Sequence, residues 1–331
     1  MTDSHTARPE TERPADSSVD PLPLADARAL VDAVTENVGR VVVGKDGVIE
    51  DALVALLARG HLLLEDVPGV GKTMLARSLA ASVDGAFSRV QFTPDLLPAD
   101  VTGTSVLDES SGGFSFQRGP VFGNVVLGDE INRAPPKTQA ALLEAMEEGQ
   151  VTVDGETHAL PDPFFVVATQ NAVERDRVYD LPVAEIDRFT KKLTLGYPSV
   201  EEEVDVLGRV VGHHPVEDVE PVASVGELRR ARETVARVET SEPVREYVTR
   251  LADYTREHAA LGASPRGSIA LLRCAQVRAV LDERDYVIPD DVKREAPSVL
   301  THRVRADGSD GLGGEAAERV VADALDAVPP E

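Results

Sequence analysis

Five short apolar runs, separated by stretches of helical periodicity, constrain this chain more than any other feature of its sequence. They are His61-Leu62-Leu63-Leu64, Arg89-Val90-Gln91-Phe92, Asn124-Val125-Val126-Leu127, Phe164-Phe165-Val166-Val167-Ala168 and Lys192-Leu193-Thr194-Leu195. Runs of this kind, bounded by helices, belong to strands covered on both faces, as in a parallel sheet with helices on either side. Ahead of them, helical periodicity starts near Asp26 and passes through Val31, Val34 and Val38; Val41-Val42-Val43-Gly44 interrupts it before a second helix from about Asp46 to Arg59. After Tyr197-Pro198 the strand-like runs stop. Ser224 and Glu227 form a capping box before Leu228, Ala231, Val235 and Val238, Ser241 opens a helix carrying Val244, Val248, Leu251 and Tyr254, and Ser264-Pro265 opens another. Residues 311–331 read as a last amphipathic helix. The expected fold class is α/β, an αβα sandwich around a parallel sheet over residues 24–198, followed by an all-helical domain over residues 199–331. Two domains also suit 331 residues, because single cores rarely grow past about 300.

Residues 1–23 carry Pro, Ser, Thr, Asp and Glu with almost no large apolar side chain, which predicts a disordered tail. Acidic residues number 58 against 34 basic ones, and the formal charge of -24 repels phosphodiester backbones and anionic lipid heads. General nucleic-acid binding is therefore not expected. Nor is membrane insertion, because no run approaches the roughly 18 continuous apolar residues of a span. The lone Cys274 cannot close an internal disulfide and reads as a core residue, and no signal-peptide pattern opens the chain, so a cytoplasmic protein is expected. The cations are 28 Arg and 6 Lys. A GC-rich coding bias explains the arginines but not the acidic excess; a salt-rich cytoplasm, whose short Debye length screens self-repulsion, explains the excess. His213-His214 lacks the spaced partners of a metal site.

The first run leads into Glu65-Asp66-Val67-Pro68-Gly69-Val70-Gly71-Lys72-Thr73, then Met74 and the helical spacing of Leu75, Leu79 and Val83. A strand, a glycine-rich turn, Gly-Lys-Thr and a helix make the context of a P-loop. Backbone N–H groups of Val70 to Thr73 would face a β-phosphate, aided by the helix N-terminus. Lys72 would reach the β- and γ-oxygens, and Thr73 would ligate Mg2+. Asp66 stands where the strict pattern has its first glycine, a position that Asp could fill by adopting a left-handed conformation. The third run ends in Gly128-Asp129-Glu130 at a strand tip, where Asp129 can hold the Mg2+ shell and Glu130 can polarise a water for attack on a γ-phosphate. The fourth ends in Thr169-Gln170-Asn171; Asn171 either positions that water or caps the following turn. Arg188 lies just before the fifth run, and Arg266 sits in the first turn of the Ser264-Pro265 helix, where a cation opposes the helix dipole. A γ-phosphate facing that turn would remove the conflict. Each arginine has the competing reading of a surface cation paired with one of the many carboxylates.

In this order, and with a helical domain behind them, the motifs resemble those of AAA+ ATPases and, closely, the MoxR family. The stretches that carry the resemblance are Leu64 to Thr73, Gln91-Phe92-Thr93-Pro94-Asp95-Leu96-Leu97-Pro98, Asp129-Glu130-Ile131-Asn132-Arg133-Ala134-Pro135-Pro136-Lys137-Thr138-Gln139, Ala168 to Asn171, Asp187-Arg188-Phe189 and Gly262-Ala263-Ser264-Pro265-Arg266. The resemblance implies ATP and Mg2+ as cofactors, with Asp66 to Met74 as nucleotide-binding segment, Lys72 and Thr73 as Walker A, Asp129 and Glu130 as Walker B, Asn171 as sensor 1, Arg266 as sensor 2 and Arg188 as arginine finger. Val43 and Gly44 would line the adenine pocket, and the helical domain would be a lid. It further implies a head-to-tail homo-oligomeric ring, a hexamer, acting as a chaperone-like remodelling or assembly factor on a von Willebrand factor A domain protein. A nucleotide-gated scaffold with little hydrolysis, or a DNA-directed motor using the Arg229, Arg230 and Arg232 cluster, are the alternatives. Departures from the family's pattern are Ala172-Val173 after the sensor Asn and Gly128, which would loosen its strand tip. Two hairpins, Val151 to His158 with an Asp154-Gly155 turn and Thr104 to Phe116, are expected to contact a partner or to be structural inserts.

Overall fold

In a computed structural model of the chain, residues 19–108, 112–171, 179, 181–210, 215–309 and 311–330 are described. Two helices come first, α1 (Leu24–Gly39) and α2 (Asp46–Leu57). The α/β part then runs β1 (Leu62–Asp66), α3 (Lys72–Ser82), β2 (Phe87–Gln91), α4 (Pro98–Thr102), β3 (Gly103–Asp108), β4 (Gly113–Arg118), β5 (Val125–Asp129), α5 (Pro136–Glu148), β6 (Gln150–Val153), β7 (Glu156–Ala159), β8 (Phe165–Asn171), α6 (Val183–Ile186) and β9 (Lys191–Leu193). The helical part holds α7 (Val200–Val210), α8 (Val225–Ala236), α9 (Glu242–Glu257), α10 (Pro265–Leu281), α11 (Pro289–Leu300) and α12 (Gly314–Ala327).

The five apolar runs form one five-stranded sheet in the order β2-β5-β8-β1-β9, with every neighbouring pair parallel. Leu62, Leu63, Leu64, Val125, Val126, Leu127, Phe165, Val166 and Val167 are buried, which is why these runs do not alternate. The register pairs Leu62 with Lys191 on one side and with Val167 on the other, so β9 begins where β1 begins. Both expected hairpins form outside this sheet, β3 with β4 and β6 with β7. Asp154 and Gly155 take φ of 50° and 85°, as a tight hairpin turn requires. The rings of Phe116 and His158 stack at 3.9 Å and join the two hairpins; the 109–111 part of the first lies outside the described residues.

Several expectations change. Residues 1–18 of the expected tail lie outside the described residues, whereas Leu22 is buried in the core and its carbonyl accepts a 2.7 Å bond from Thr234 Oγ1. Gly128 does not loosen its strand, because a Cβ there would lie 3.1 Å from Leu142 Cδ2 and 3.3 Å from Phe92 Cε2. The Arg229, Arg230 and Arg232 cluster is spent on internal contacts: Arg232 is buried and bonds Leu56 O and Asp162, Arg229 bonds Asp162 O, and Arg230 bonds Asp20 O. Cys274 is buried, as expected, and burial pushes its thiol up to about 12. His213-His214 lies outside the described residues; among those described, no group of three or more His, Cys, Asp or Glu side chains is placed to hold a metal ion, and no helix is long and apolar enough to cross a membrane.

The α/β part and the helices behind it share one apolar core, and charged groups are buried within their junction. Lys191 of β9 and Glu295 of α11 are wholly buried and paired, and Arg278 of α10 bonds Glu295, Asp51 and Glu50 at once. Asp51 also accepts from Lys191 at 2.7 Å. Removing one partner of such a cluster leaves a buried charge uncompensated.

His61, at the foot of β1, is held in one neutral form. Its Nδ1 accepts from Val166 N at 3.0 Å, so its Nε2 carries the proton and donates to Met146 O at 3.1 Å. Burial, with the Arg232 charge, lowers its pKa from 6.5 to about 4. Because the folded value is the lower one, the unfolded chain takes up the proton first as pH falls. Stability is therefore lost between pH 6.5 and about 4, by about 3 kcal/mol for this group, of which about 2 kcal/mol goes between pH 7 and 5. Urea unfolding at those two pH values should show a smaller loss for His61→Gln than for the native chain.

Candidate active site

β1 delivers the glycine-rich turn to the C-terminal edge of the sheet, and α3 starts at Lys72 immediately after it. Gly69 and Gly71 take φ of 85° and 102°, a region closed to most side chains, which lets the turn fold back on itself. Pro68, Gly69, Gly71, Lys72, Thr73 and Met74 line a cleft of about 300 Å³ together with Asp129, Glu130 and Asn171. Lys72 Nζ donates to Asp66 O at 2.8 Å and Val67 O at 3.1 Å. Burial lowers its pKa, opposed by the charges of Asp66, Asp129 and Glu130. Val70 lies against the core below the turn.

Asp66 is not in the left-handed conformation expected of it. It is the last residue of β1 and acts as a clamp: Oδ1 accepts from Val67 N at 2.8 Å, and Oδ2 accepts from Leu195 N at 2.8 Å and Gly196 N at 2.7 Å. One carboxylate thus ties the start of the turn to the chain leaving β9. A glycine at this position could do neither.

The acidic pair is organised by Thr169, on the neighbouring strand β8. Its Oγ1 donates to Asp129 Oδ1 at 2.6 Å and accepts from Glu130 N at 2.9 Å. Asp129 Oδ2 accepts from Arg89 at 2.6 Å. Glu130 itself sits at φ 57°, a strained conformation for a non-glycine residue, which turns its carboxylate away from the strand direction. Gln91 Nε2 and Arg133 Nη1 each donate to Glu130 Oε2 at 2.8 Å. Thr169, Gln91, Arg89 and Arg133 were given no role by sequence reasoning. Thr169 and Gln91 carried a signal as polar residues at the ends of strands beside β5, and Arg133 by its place in the motif that follows Asp129. The Thr73 hydroxyl and Asp129 carboxylate are hard oxygen donors in one cleft, the set that suits Mg2+ beside phosphate oxygens.

Val43 and Gly44 lie on the turn between α1 and α2, where the Glu202 side chain occupies the space a Gly44 Cβ would take and Lys45 Nζ donates to Tyr197 O at 3.1 Å. They are not among the residues lining the P-loop cleft.

Arg188 and Arg266 are brought together, at the opposite edge of the sheet. Arg188 precedes β9, whose first residue pairs with the first residue of β1, so it lies at least a strand length from the turn, about 15 Å. Both arginines bind one carboxylate: Arg188 Nε stands 3.3 Å from Glu147 Oε2, and Arg266 Nη2 bonds Glu147 Oε1. The anion facing the first turn of α10 is therefore Glu147, not a phosphate. Glu147 is in the last turn of α5, where an acid opposes the helix dipole as the cation does in the first turn of α10, so each offsets the other's mismatch. Arg59, Arg273 and Arg303 line the same cavity of about 300 Å³, with Asp187 as its second carboxylate.

Comparison with known proteins agrees with this geometry. A family described as the ATPase family associated with various cellular activities (AAA) matches residues 61–191, and the AAA lid domain matches residues 251–324. The chain is 50% identical over 305 residues to the YeaC protein of Bacillus subtilis, covering 92% of this chain and 95% of that one. It is 42% identical over 311 residues to the chaperone MoxR1 of Mycobacterium tuberculosis, covering 91% of this chain and 81% of that one. A crystal structure of a candidate ATPase from Cytophaga hutchinsonii matches with a TM-score of 0.85 at 38% identity, over 93% of this chain and 96% of that one. A parallel sheet with a P-loop at its edge and a helical lid behind it defines a AAA+ ATPase. Within that class, the chain belongs to the MoxR family.

Replacing Asp66 by the glycine of the strict P-loop pattern should destabilise the protein. It leaves the N–H groups of Val67, Leu195 and Gly196 without their charged acceptor, at a cost of about 2 to 3 kcal/mol, measurable as a shift in the urea midpoint with unchanged slope.

Proposed function

We propose that this protein hydrolyses Mg-ATP between subunits of a head-to-tail ring, and that residues 24–198 form the nucleotide-binding domain and residues 199–331 the lid. The observation that carries the reading is the separation of the two charged sites: the P-loop cleft and the Arg188–Arg266 pair occupy opposite edges of one sheet. An arginine pair so placed serves a P-loop only across a subunit boundary, and head-to-tail packing that closes gives a ring. The family relation supports six subunits.

In this reading the N–H groups of the 69–73 turn and the α3 N-terminus bind the phosphates, and Lys72 exchanges two carbonyls for phosphate oxygens. Thr73 and Asp129 hold Mg2+, which supplies charge neutralisation on the phosphates when bound. Glu130 takes a proton from the attacking water, with Asn171 orienting that water and Thr169 fixing the backbone that carries Glu130. Val43 and Gly44 contribute to the adenine side. Arg188 and Arg266 of the adjacent subunit leave Glu147 for the γ-phosphate and stabilise the charge that spreads over its oxygens. The work done is chaperone-like remodelling or assembly of a protein partner, one with a von Willebrand factor A domain. The internal commitments of Arg229, Arg230 and Arg232 weigh against a DNA-directed motor.

Glu130→Gln should bind ATP with native affinity and turn over at least about a hundredfold more slowly, and Arg188→Ala should behave alike, checked by steady-state phosphate release beside nucleotide titration. Normal turnover by Glu130→Gln would remove the hydrolytic mechanism and leave a nucleotide-gated scaffold. With -24 charges on every subunit, ring formation should strengthen from dilute buffer to molar KCl, read by light scattering with ATP present.

A further inference from the structure

We infer that Arg303 is a positioning residue for the Arg188 and Arg266 pair, acting through Asp187 and Ser264. This rests on the reading above, since it assigns a holder to the arginines which that reading uses. Arg303 lies in the helical part, in the turn after α11, and only 4% of it is exposed. Its guanidinium reaches across the junction to the segment that carries Arg188. Nε donates to Asp187 Oδ1 at 2.8 Å, Nη2 donates to Asp187 O at 3.1 Å and Phe189 O at 2.6 Å, and Nη1 donates to Thr190 O at 3.2 Å. The backbone carbonyls on both sides of Arg188 are thus fixed by one planar group, a task that needs a fork of five N–H donors rather than a point charge.

The second oxygen of the same carboxylate extends the unit to Arg266. Ser264 Oγ donates to Asp187 Oδ2 at 2.8 Å and accepts from Gly267 N at 3.3 Å, so the residue that caps α10 is bound to the residue before Arg188. Arg266 stands two positions beyond that cap, in the first turn. Gly267 leaves room for the device, because a Cβ there would come within 2.9 Å of Arg303 Cδ. One ion pair, with a buried guanidinium and a partly buried carboxylate, therefore sets the place of two arginines that come from different parts of the chain and meet on Glu147. Movement of the lid that carries Arg303 and Ser264 moves Arg266 directly and pulls on the Asp187–Thr190 segment. That couples lid position to the geometry offered to the adjoining subunit.

The test compares Arg303→Lys with Arg188→Ala, each alone and each mixed 1:1 with Lys72→Ala subunits, which lack a working P-loop but keep both arginines. Arg303→Lys alone should bind a fluorescent ATP analogue with native affinity and hydrolyse ATP about tenfold or more slowly, since small displacements of charge-stabilising groups cost that much. Mixing should restore activity at interfaces where an intact P-loop meets intact arginines, roughly a quarter of those in a random ring. Recovery by both mixtures supports the inference, and a subunit damaged in its own P-loop or fold would not be rescued. Recovery with Arg188→Ala but not with Arg303→Lys overturns the inference and leaves the shared-site reading standing. Recovery with neither overturns the shared-site reading and the inference with it, and native turnover by Arg303→Lys alone overturns the inference directly. If Arg303→Lys fails to fold by circular dichroism, Ser264→Ala takes its place, with a smaller loss and the same recovery on mixing expected; native turnover or no recovery by that variant overturns the inference.

Discussion

The common direction of the five strands governs where chemistry can occur in this molecule. Parallel strands put all their C-terminal ends at one edge, so the glycine-rich turn after β1, the acids after β5 and the amide at the end of β8 converge there without long connections. The opposite edge receives the chain as it returns from the helices, and it collects Glu147 from the end of α5 and Arg188 from the approach to β9. Neither group can be moved to the other edge without reversing a strand. A reaction that draws on both edges requires two copies of the chain.

The same edge is where part of the helical domain attaches, and there directed bonds between charges add to an apolar core that the two parts share. Lys191, Glu295, Arg278, Asp51 and Glu50 form one cluster and Arg303 with Asp187 another. Burying these ions is costly, and an apolar seam of equal volume would hold the parts together at least as strongly. What the ions add is direction: a guanidinium with four acceptors across the seam fixes the angle between elements that an apolar contact would let slide. Fixed angles matter here because the arginine pair is assembled from both sides of the seam.

Much of this was legible in the residues themselves. Strands β1, β5 and β8 were readable because burial on both faces left no polar alternation, and the capping box at Ser224 formed as written, with Glu227 N donating to Ser224 Oγ at 3.1 Å. The P-loop and the acidic pair declared themselves by their place at strand ends. Two helices of the helical part were missed. α11 hides its apolar spacing behind Pro297 and the buried Glu295, and α7 leaves Val200, Val204 and Leu207 exposed. The partners of the site residues were also beyond reach. Thr169, Gln91 and Glu147 meet their targets across strand pairs and helix ends separated by dozens of residues, and only the register of the sheet and the seam bring them together.

Lys72, Glu130, Arg188 and Arg266 are each bound to a partner within the chain, and this sets what a ligand must supply. Lys72 holds two carbonyls, Glu130 is held by Gln91 and Arg133, and Arg188 and Arg266 share one carboxylate. An exterior of such acidity would saturate any free cation with its own carboxylates, so these internal commitments keep the cations placed. A monovalent anion cannot displace them all, because it offers one charge where two arginines already have one, and it must also cross a repelling exterior. In the shared-site reading, a triphosphate would present enough charge to engage Lys72 at one edge of one subunit and two arginines at the edge of another. Under that reading the acidic surface and the paired interior would together favour a multivalent anion over the salt around it.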